Sequence, residues 1–521
     1  FIASQQIDLH DRAAMADLHL PESLQTLILS RMDTIAEDAR RSMKVASVIG
    51  RVFEAPMLPG AYPELGTLDD VLGHLETLRT ADLVRLDRLA DLAFLFKHAV
   101  TQEVAYDSMP FSVRANLHGR VGAYIEARDP DDIDRHLDLL AHHYGLSDDH
   151  AKKVEYLGRA AEAARGTFAN AAAIGYYERL IPLLDGSERA AATLRLARVL
   201  QTAGQLPKSE SVALEARGLA VDLGDTRQEA WAEASLAETA KRRNLYDEAW
   251  ERLGRANELF ARLDEPSGIA DMLHLAGVIA EFRGEYDNAR ARYDQAREAR
   301  MEIGDLAGAA TSEGNLAIMA EFTGDYRGAL EINDRALELR RSINDRRGIA
   351  IGEMNAGYFR RLVGELQDAS AHLETALAVS REIGDPAMVG HAQSTLAGVY
   401  LAMQDYPAAA AQFSNALERQ GELNDLRAMS MTLEDVAVLG ARAFGGTDPF
   451  ELFGGTDALR AEIGAPRPPT LEVELTDHLA DARATLGDEA TDAAISRGRA
   501  WTAAQTVSAG VAILERLKPV R

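Results

Sequence analysis

The chain contains no cysteine. That excludes disulfides and thiolate metal sites and accords with a reducing compartment. Lysine is scarce, with only seven among the 56 basic residues, and the bases are outnumbered by 82 acids for a net charge of −26. Binding along a phosphate backbone needs clustered bases, so a nucleic-acid footprint over most of the surface is excluded. No apolar run approaches the ~20 residues of a membrane span. No charged-then-apolar signal segment opens the chain. A cytoplasmic protein without membrane contact is therefore expected. There is no Gly-Lys dipeptide, hence no G-x-x-x-x-G-K-[ST] loop to cradle phosphates, and neither ATP nor Mg is expected on this chain. No H-E-x-x-H or similar ligand spacing occurs. His142 and His143 are adjacent and diverge by about 100° on a helix, so no metal site is expected. What is present is a folded, multidomain chain of 521 residues, 47% apolar.

Five back-to-back 40-residue segments run from Gly224 to Leu423. They open GDTRQEA, DEPSGIA, GDLAGAA, NDRRGIA and GDPAMVG at Gly224, Asp264, Gly304, Asn344 and Gly384. Twenty residues on, each has a turn followed by an alanine: NLYDEA, GEYDNA, GDYRGA, GELQDA, QDYPAA. Residues 185–223 fall into the same register through Leu196, Ala197, Gly204, Ser209 and Ala216. A fixed period of this length is a solenoid of helix pairs. Small residues recur at Ala237, Gly277, Ala317, Gly357 and Ala397 in one helix, and at Ala249, Ala289, Ala329, Ala369 and Ala409 in the other. Seven residues after the second series comes a third, Ala256, Ala296, Ala336, Ala376 and Ala416. Between the second and third series stand Leu253, Tyr293, Leu373 and Phe413, with Asn333 as the exception. Small residues let crossing helices approach, and the bulky one fills the next layer. This order, with Tyr246, Tyr286, Tyr326 and Tyr406 beside the turn, resembles the tetratricopeptide repeat, stretched beyond its usual ~34 residues.

Upstream, helices are expected from Pro21, with apolar Leu24, Leu27, Ile28 and Met32, then over the stretch ending at Gly50, and over Thr67–Thr80 with Thr67 as cap. Two alternating runs, LVRLDR and LAFLFKH, read as a hairpin. Three helices and a hairpin is the order of a winged-helix-like domain. Its third helix carries Asp69, Asp70 and Glu76 against Arg79, and residues 1–128 hold 13 bases and 18 acids. DNA contact is not expected of such a surface, and a packing role within the protein is.

The stretch Phe96-Lys97-His98-Ala99-Val100-Thr101-Gln102-Glu103-Val104-Ala105-Tyr106 resembles the FKHA-x-TQEVAY signature of bacterial STAND-type signal-transduction ATPases. These are often fused to a class III adenylate/guanylate cyclase. LPESLQTLILSRMD, ASVIGRVF, LLAHHY and YLGRAAEAA resemble further segments of the same family. The resemblance implies that Phe96, Lys97, His98, Thr101, Gln102, Glu103 and Tyr106 couple this part to a nucleotide-binding domain upstream, where ATP and Mg would bind. His98 is a candidate sensor of nucleotide state, against the plainer role of anchoring the helix that follows it. The chain opens on Phe1, and a longer parent is expected.

The expected architecture is all-α. It comprises a remnant at 1–20, the winged-helix-like coupling domain with one β-hairpin at 21–128, a helical bridge and irregular first repeat at 129–184, tetratricopeptide-like repeats at 185–463 and a helical cap at 464–521. The stretch FGGTDPFELFGGTDALRAEIGAPRPP reads as broken by its glycines and prolines. By the geometry of the repeat, the first helix of each pair faces a concave groove. The groove positions are then Trp231, Glu238, Lys241, Arg242, His274, Glu281, Phe282, Asn315, Ile318, Glu321, Phe322, Asn355, Tyr358 and Arg361. Aromatics flanked by charges suit capture of a peptide or partner helix, and Asn315 and Asn355 suit an extended peptide backbone. The plain alternative is that these aromatics pack against neighbouring repeats. The expected function is a non-catalytic sensor arm that binds a protein or peptide and signals to the upstream domain. A scaffold, or part of a transcriptional regulator, remain the alternatives.

Overall fold

The computed structural model describes residues 22–517 apart from Phe168, Pro466 and Pro468. The remnant expected at 1–20 lies outside the described residues. The chain divides into two compact units between Arg243 and Asn244.

The first unit opens α1 (Glu22–Asp33), α2 (Glu37–Ile49), β1 (Val52–Glu54), α3 (Met57–Ala61), α4 (Leu68–Thr80), β2 (Val84–Arg88), β3 (Ala93–Phe96). It continues through α5 (Ala99–Asp107), α6 (Phe111–Arg128), α7 (Leu137–Leu146), α8 (His150–Gly166), α9 (Asn170–Leu180), α10 (Gly186–Thr202), α11 (Leu206–Leu223) and α12 (Thr226–Arg242). In α1, Ile28 and Met32 are buried but Leu27 is 57% exposed, so the apolar stripe there is narrower than its spacing suggests. Thr67 and Asp70 form a reciprocal capping box at the start of α4, the Thr67 N–H donating to Asp70 Oδ2 at 2.8 Å. β2 and β3 form the expected hairpin, but β1 adds a third antiparallel strand, giving the order β1-β3-β2. Its register sets Phe53 opposite Phe94, and Phe53 also packs against Phe96 with ring centroids 5.6 Å apart. Three residues are too few to show a period of two, which is why β1 leaves no mark in the sequence.

The second unit holds α13 (Tyr246–Arg262), α14 (Pro266–Phe282), α15 (Tyr286–Glu302), α16 (Leu306–Phe322), α17 (Tyr326–Ser342) and α18 (Arg346–Leu362). It continues with α19 (Leu366–Glu382), α20 (Pro386–Ala402), α21 (Tyr406–Glu422), α22 (Leu426–Ala443), α23 (Asp448–Glu462), α24 (Pro469–Leu486), α25 (Asp488–Gly498) and α26 (Ala503–Glu515). Helices α13 to α21 are each 17 residues long. With three-residue turns, two such helices fill the 40-residue period. The middle residue of each turn is left-handed: Asn244, Asp264, Gly284, Gly304, Gly324, Asn344, Gly364, Gly384, Gln404 and Asn424. Glycine, asparagine and aspartate tolerate that conformation best. The next backbone N–H reaches back to the preceding helix, as Asp305 does to the Arg300 carbonyl at 2.8 Å, closing a Schellman-type end. The same aspartates (Asp305, Asp325, Asp345, Asp385, Asp405, Asp425) accept a backbone N–H of the following helix.

The bulky repeat positions Tyr293, Leu373 and Phe413 are fully buried, and so is the exception, Asn333, whose Nδ2 donates to the Gly352 carbonyl at 3.0 Å. The glycine-rich stretch after residue 443 is broken at its ends, where Gly445, Gly446 and Gly464 are left-handed, but its middle forms α23, in which Gly454 and Gly455 serve close packing instead of turns. A Cβ on Gly454 would lie 2.1 Å from the Ile495 carbonyl oxygen of α25, and one on Gly498 would lie 1.8 Å from that of Glu451. Among the described residues no helix is long and apolar enough to cross a membrane.

One buried ion cluster ties the C-terminal helices together. Glu434 of α22 accepts from Arg460 Nε and Nη2 at 2.6 and 2.8 Å and from Arg467 Nε at 2.9 Å. Glu434→Gln leaves two guanidinium groups buried beside a neutral amide. It is expected to cost about 3–5 kcal/mol, read as a lower denaturant midpoint at unchanged m-value.

Candidate functional site

In the second unit the positions expected to line a groove lie on the first helix of each pair. Because the period is constant, Glu281, Glu321 and Arg361 occupy one repeat position and Asn315, Asn355, Thr395 and Asp435 another. Phe282 and Phe322 are 58% and 42% exposed. Phe282 stacks on Tyr246 with centroids 5.9 Å apart, and Phe322 stacks on Tyr286 at 4.9 Å. Each aromatic thus packs against the preceding repeat with part of its ring area while the remainder faces solvent. His274 packs against Tyr293 at 5.4 Å. Asn315, Ile318 and Asn355 are half-buried.

The Tyr293 hydroxyl donates to Glu281 at 2.6 Å and the Tyr358 hydroxyl to Glu321 at 2.7 Å. The guanidinium of Arg361 lies over the Tyr358 ring, 5.3 Å from its centroid. Burial holds both Glu281 and Glu321 above the usual carboxylate range, against the tyrosine hydroxyls that pull them down. Helix α24 contributes Glu474, which raises Glu321 further and is itself held down by His478, with Nε2 3.6 Å from Oε1. Asp435, from α22, is pushed up to about 6 by burial, with Arg361 opposing and Glu434 and Glu474 adding to the rise. Tyr358, Arg361, His391, Ser394, Thr395 and Asp435 line a pocket of about 170 Å³. Of these, only Tyr358 and Arg361 were among the expected groove residues. The others sit at the same register positions in later repeats, and carrying the 40-residue count past Arg361 finds them. Glu474 has no such register and left no sequence signal.

Trp231, Glu238, Lys241 and Arg242 belong to the first unit. Glu238 accepts from Lys241 Nζ at 2.8 Å and Arg242 Nε at 2.9 Å. Arg198 lies over the Trp231 ring, 5.0 Å from its centroid.

The signature residues occupy both faces of β3–α5 in the first unit. Phe96 and Thr101 are buried, while Lys97, His98 and Glu103 are exposed. Lys97 Nζ pairs with Asp82 at 2.6 Å. His98 stands at the cap position of α5, but its side chain makes no capping hydrogen bond, so its ring does not anchor the helix that way. Gln102 Nε2 donates to the Ser47 carbonyl at 2.7 Å, and the Tyr106 hydroxyl shares a hydrogen bond with His118 Nε2 at 2.9 Å. Gln102, Tyr106, His118, Asp138, His142 and Arg179 line a cleft of about 820 Å³. His142 and His143 do not diverge into unrelated surroundings. Both meet His118, from α6, so that one ring nitrogen of each of the three lies within 4.8 Å of the others. Burial holds His118 near 4 and His143 near 3, leaving both neutral at pH 7.

The family model described as Tetratricopeptide repeat matches residues 268–342, and the chain carries that fold. No curated protein matches. Among solved structures, the chain is similar to a signal transduction ATPase with numerous domains (STAND) protein with a tetratricopeptide repeat sensor from Pyrococcus horikoshii. Identity is 12%, the alignment covers 90% of this chain and 66% of that one, and the TM-score is 0.46. It is similar also to a Rap protein complexed with Competence and Sporulation Factor, at 16% identity, 63% and 92% coverage and a TM-score of 0.44.

Ionising Asp435 in the folded chain is unfavourable. Its folded value of about 6 lies above the ordinary 3.8, so the stability its proton contributes is complete below pH 4 and is lost as pH rises through 6. Asp435→Asn is therefore expected to match the parent below pH 4 and to exceed it above pH 6 by about 1–3 kcal/mol. Denaturant melts across that range check this, and a difference independent of pH would refute it.

Proposed function

We propose that the chain is a non-catalytic sensor arm of a signalling ATPase or nucleotide cyclase. It binds a peptide or protein segment on the inner face of the second unit and transmits occupancy to a nucleotide-binding domain upstream. ATP and Mg belong to that domain, and the whole acts in the cytoplasm. The observation that carries the binding half is the company Arg361 keeps. One guanidinium faces Glu321, Asp435 and Glu474, beside a tyrosine ring and a pocket. Arg361 offsets the burial of Glu321 and Asp435 only in part, since both stay raised, and a cationic side chain or terminal amine of a partner supplies further counter-charge. The preferred ligand is thus a basic segment, with the exposed faces of Phe282 and Phe322 as apolar platforms.

The coupling half rests on the resemblance of residues 96–106 to the STAND signature. The exposed Lys97 and His98 are available for an intramolecular contact. A scaffold without a regulated enzyme is the second reading, favoured only by the repeats themselves. Two measurements test the proposal. Peptides selected by display on the chain are expected to be rich in Lys or Arg, to bind more tightly as pH rises from 5 to 7, and to weaken at least about tenfold on the Glu321→Gln, Asp435→Asn pair. Peptides indifferent to that pair would place the site elsewhere. In the parent protein, deleting residues 185–463 is expected to change the ATPase rate, and an unchanged rate leaves the scaffold reading.

A further inference from the structure

We propose that His118, His142 and His143 form a binding site for one divalent transition-metal ion of the zinc class, joining α6 to α7 through three imidazole nitrogens. No remnant of sequence spacing announces it, because the third ligand comes from another helix.

The geometry is close to what such an ion needs. A tetrahedral ion bound at 2.0–2.1 Å sets its nitrogen ligands about 3.3 Å apart. His118 Nδ1 and His143 Nδ1 are 2.9 Å apart, and no pair in the trio exceeds 4.8 Å. Ring shifts of an ångström or so bridge the difference. His142 is steeply inclined to the other two rings, at 77° to His118 and 81° to His143, and His118 and His143 are tilted by 43°, so no pair of the three is stacked face to face. Edges carry the nitrogens.

The surroundings are those of a metal ligand set. With Nδ1 of His118 turned to the ion, its Nε2 is left for the Tyr106 hydroxyl at 2.9 Å. A partner of that kind fixes tautomer and ring orientation in metal-binding histidines. His118 and His143 are buried and His142 is exposed. Both His118 and His142 line the 820 Å³ cleft, which provides an entry path and room for water as the remaining ligand. Three imidazoles without thiolate or a carboxylate cage select zinc, copper, nickel or cobalt over magnesium and calcium. His143 Nε2 has no hydrogen-bond partner and stays without one when Nδ1 turns to the ion, so it is the convergence of three ring nitrogens, not that orphan atom, that points to an ion. A bound ion would also tie the signature helix α5, through Tyr106, to α6 and α7.

The test uses the untagged full chain, stripped with a chelator and titrated with Zn²⁺ and with Co²⁺ alone. One equivalent per chain is expected, with the intense visible absorption of low-symmetry Co²⁺. His142→Ala removes an exposed ring and leaves the core intact, as an unchanged thermal melt of the stripped protein verifies. It should weaken Zn²⁺ binding at least about tenfold and abolish the Co²⁺ band. Stoichiometric binding that survives in His142→Ala, or no stoichiometric binding by the parent chain, overturns the site.

Discussion

Everything in the repeats depends on a left-handed residue at every twentieth position. Asn244, Asp264, Gly284, Gly304 and their successors to Asn424 each stop one helix, and in most turns the aspartate that follows starts the next. The turn thus fixes helix length at 17 residues, about 25 Å. It also keeps the phase, since one repeat position always points the same way relative to its own pair. A change of side chain at one position is therefore a change along a row of the surface. Glu281 and Glu321 give way to Arg361, and Asn315 and Asn355 give way to Thr395 and Asp435. The alignment of these side chains from repeat to repeat is a consequence of turn chemistry far from them.

What could be read before the structure follows the same logic. A feature repeated linearly along the chain is legible, so the helix pairs and the small crossing positions were apparent, and counting by 40 from Asn355 leads to Thr395 and Asp435 of the pocket that Tyr358 and Arg361 line. Features created by chain segments meeting at a distance were not. β1 is too short to show a pattern and exists because Phe53 completes a sheet edge against Phe94. Gly454 reads as a breaker because sequence reports only its freedom, whereas the space between α23 and α25 uses its lack of a side chain. Glu474 arrives at Glu321 from outside the period, and His118 arrives at His142 and His143 from a separate helix. Adjacent histidines on a helix do diverge, but a third ring placed between their directions brings them back together.

Buried polar groups in this chain fall into two sorts, and the distinction separates architecture from availability. Glu434 is enclosed by three short charged hydrogen bonds. Nothing about it remains to be satisfied, and its role is to hold α22, α23 and the start of α24 in place. Asp435 is its neighbour in sequence and its opposite in circumstance. The helix turns it by about 100°, toward the pocket, where burial lifts its carboxyl to about 6 with only Arg361 and His478 in opposition. A carboxyl in that state costs stability at neutral pH and contributes none in return within the isolated chain. Under the proposed function, a cationic group of the partner lowers that cost. Desolvation already borne by the free protein is not charged again on binding, which is what preorganisation means for an ionic site. Glu281 and Glu321, at a different repeat position, are raised in the same way, so the effect is distributed over successive repeats, as the proposed extended partner calls for.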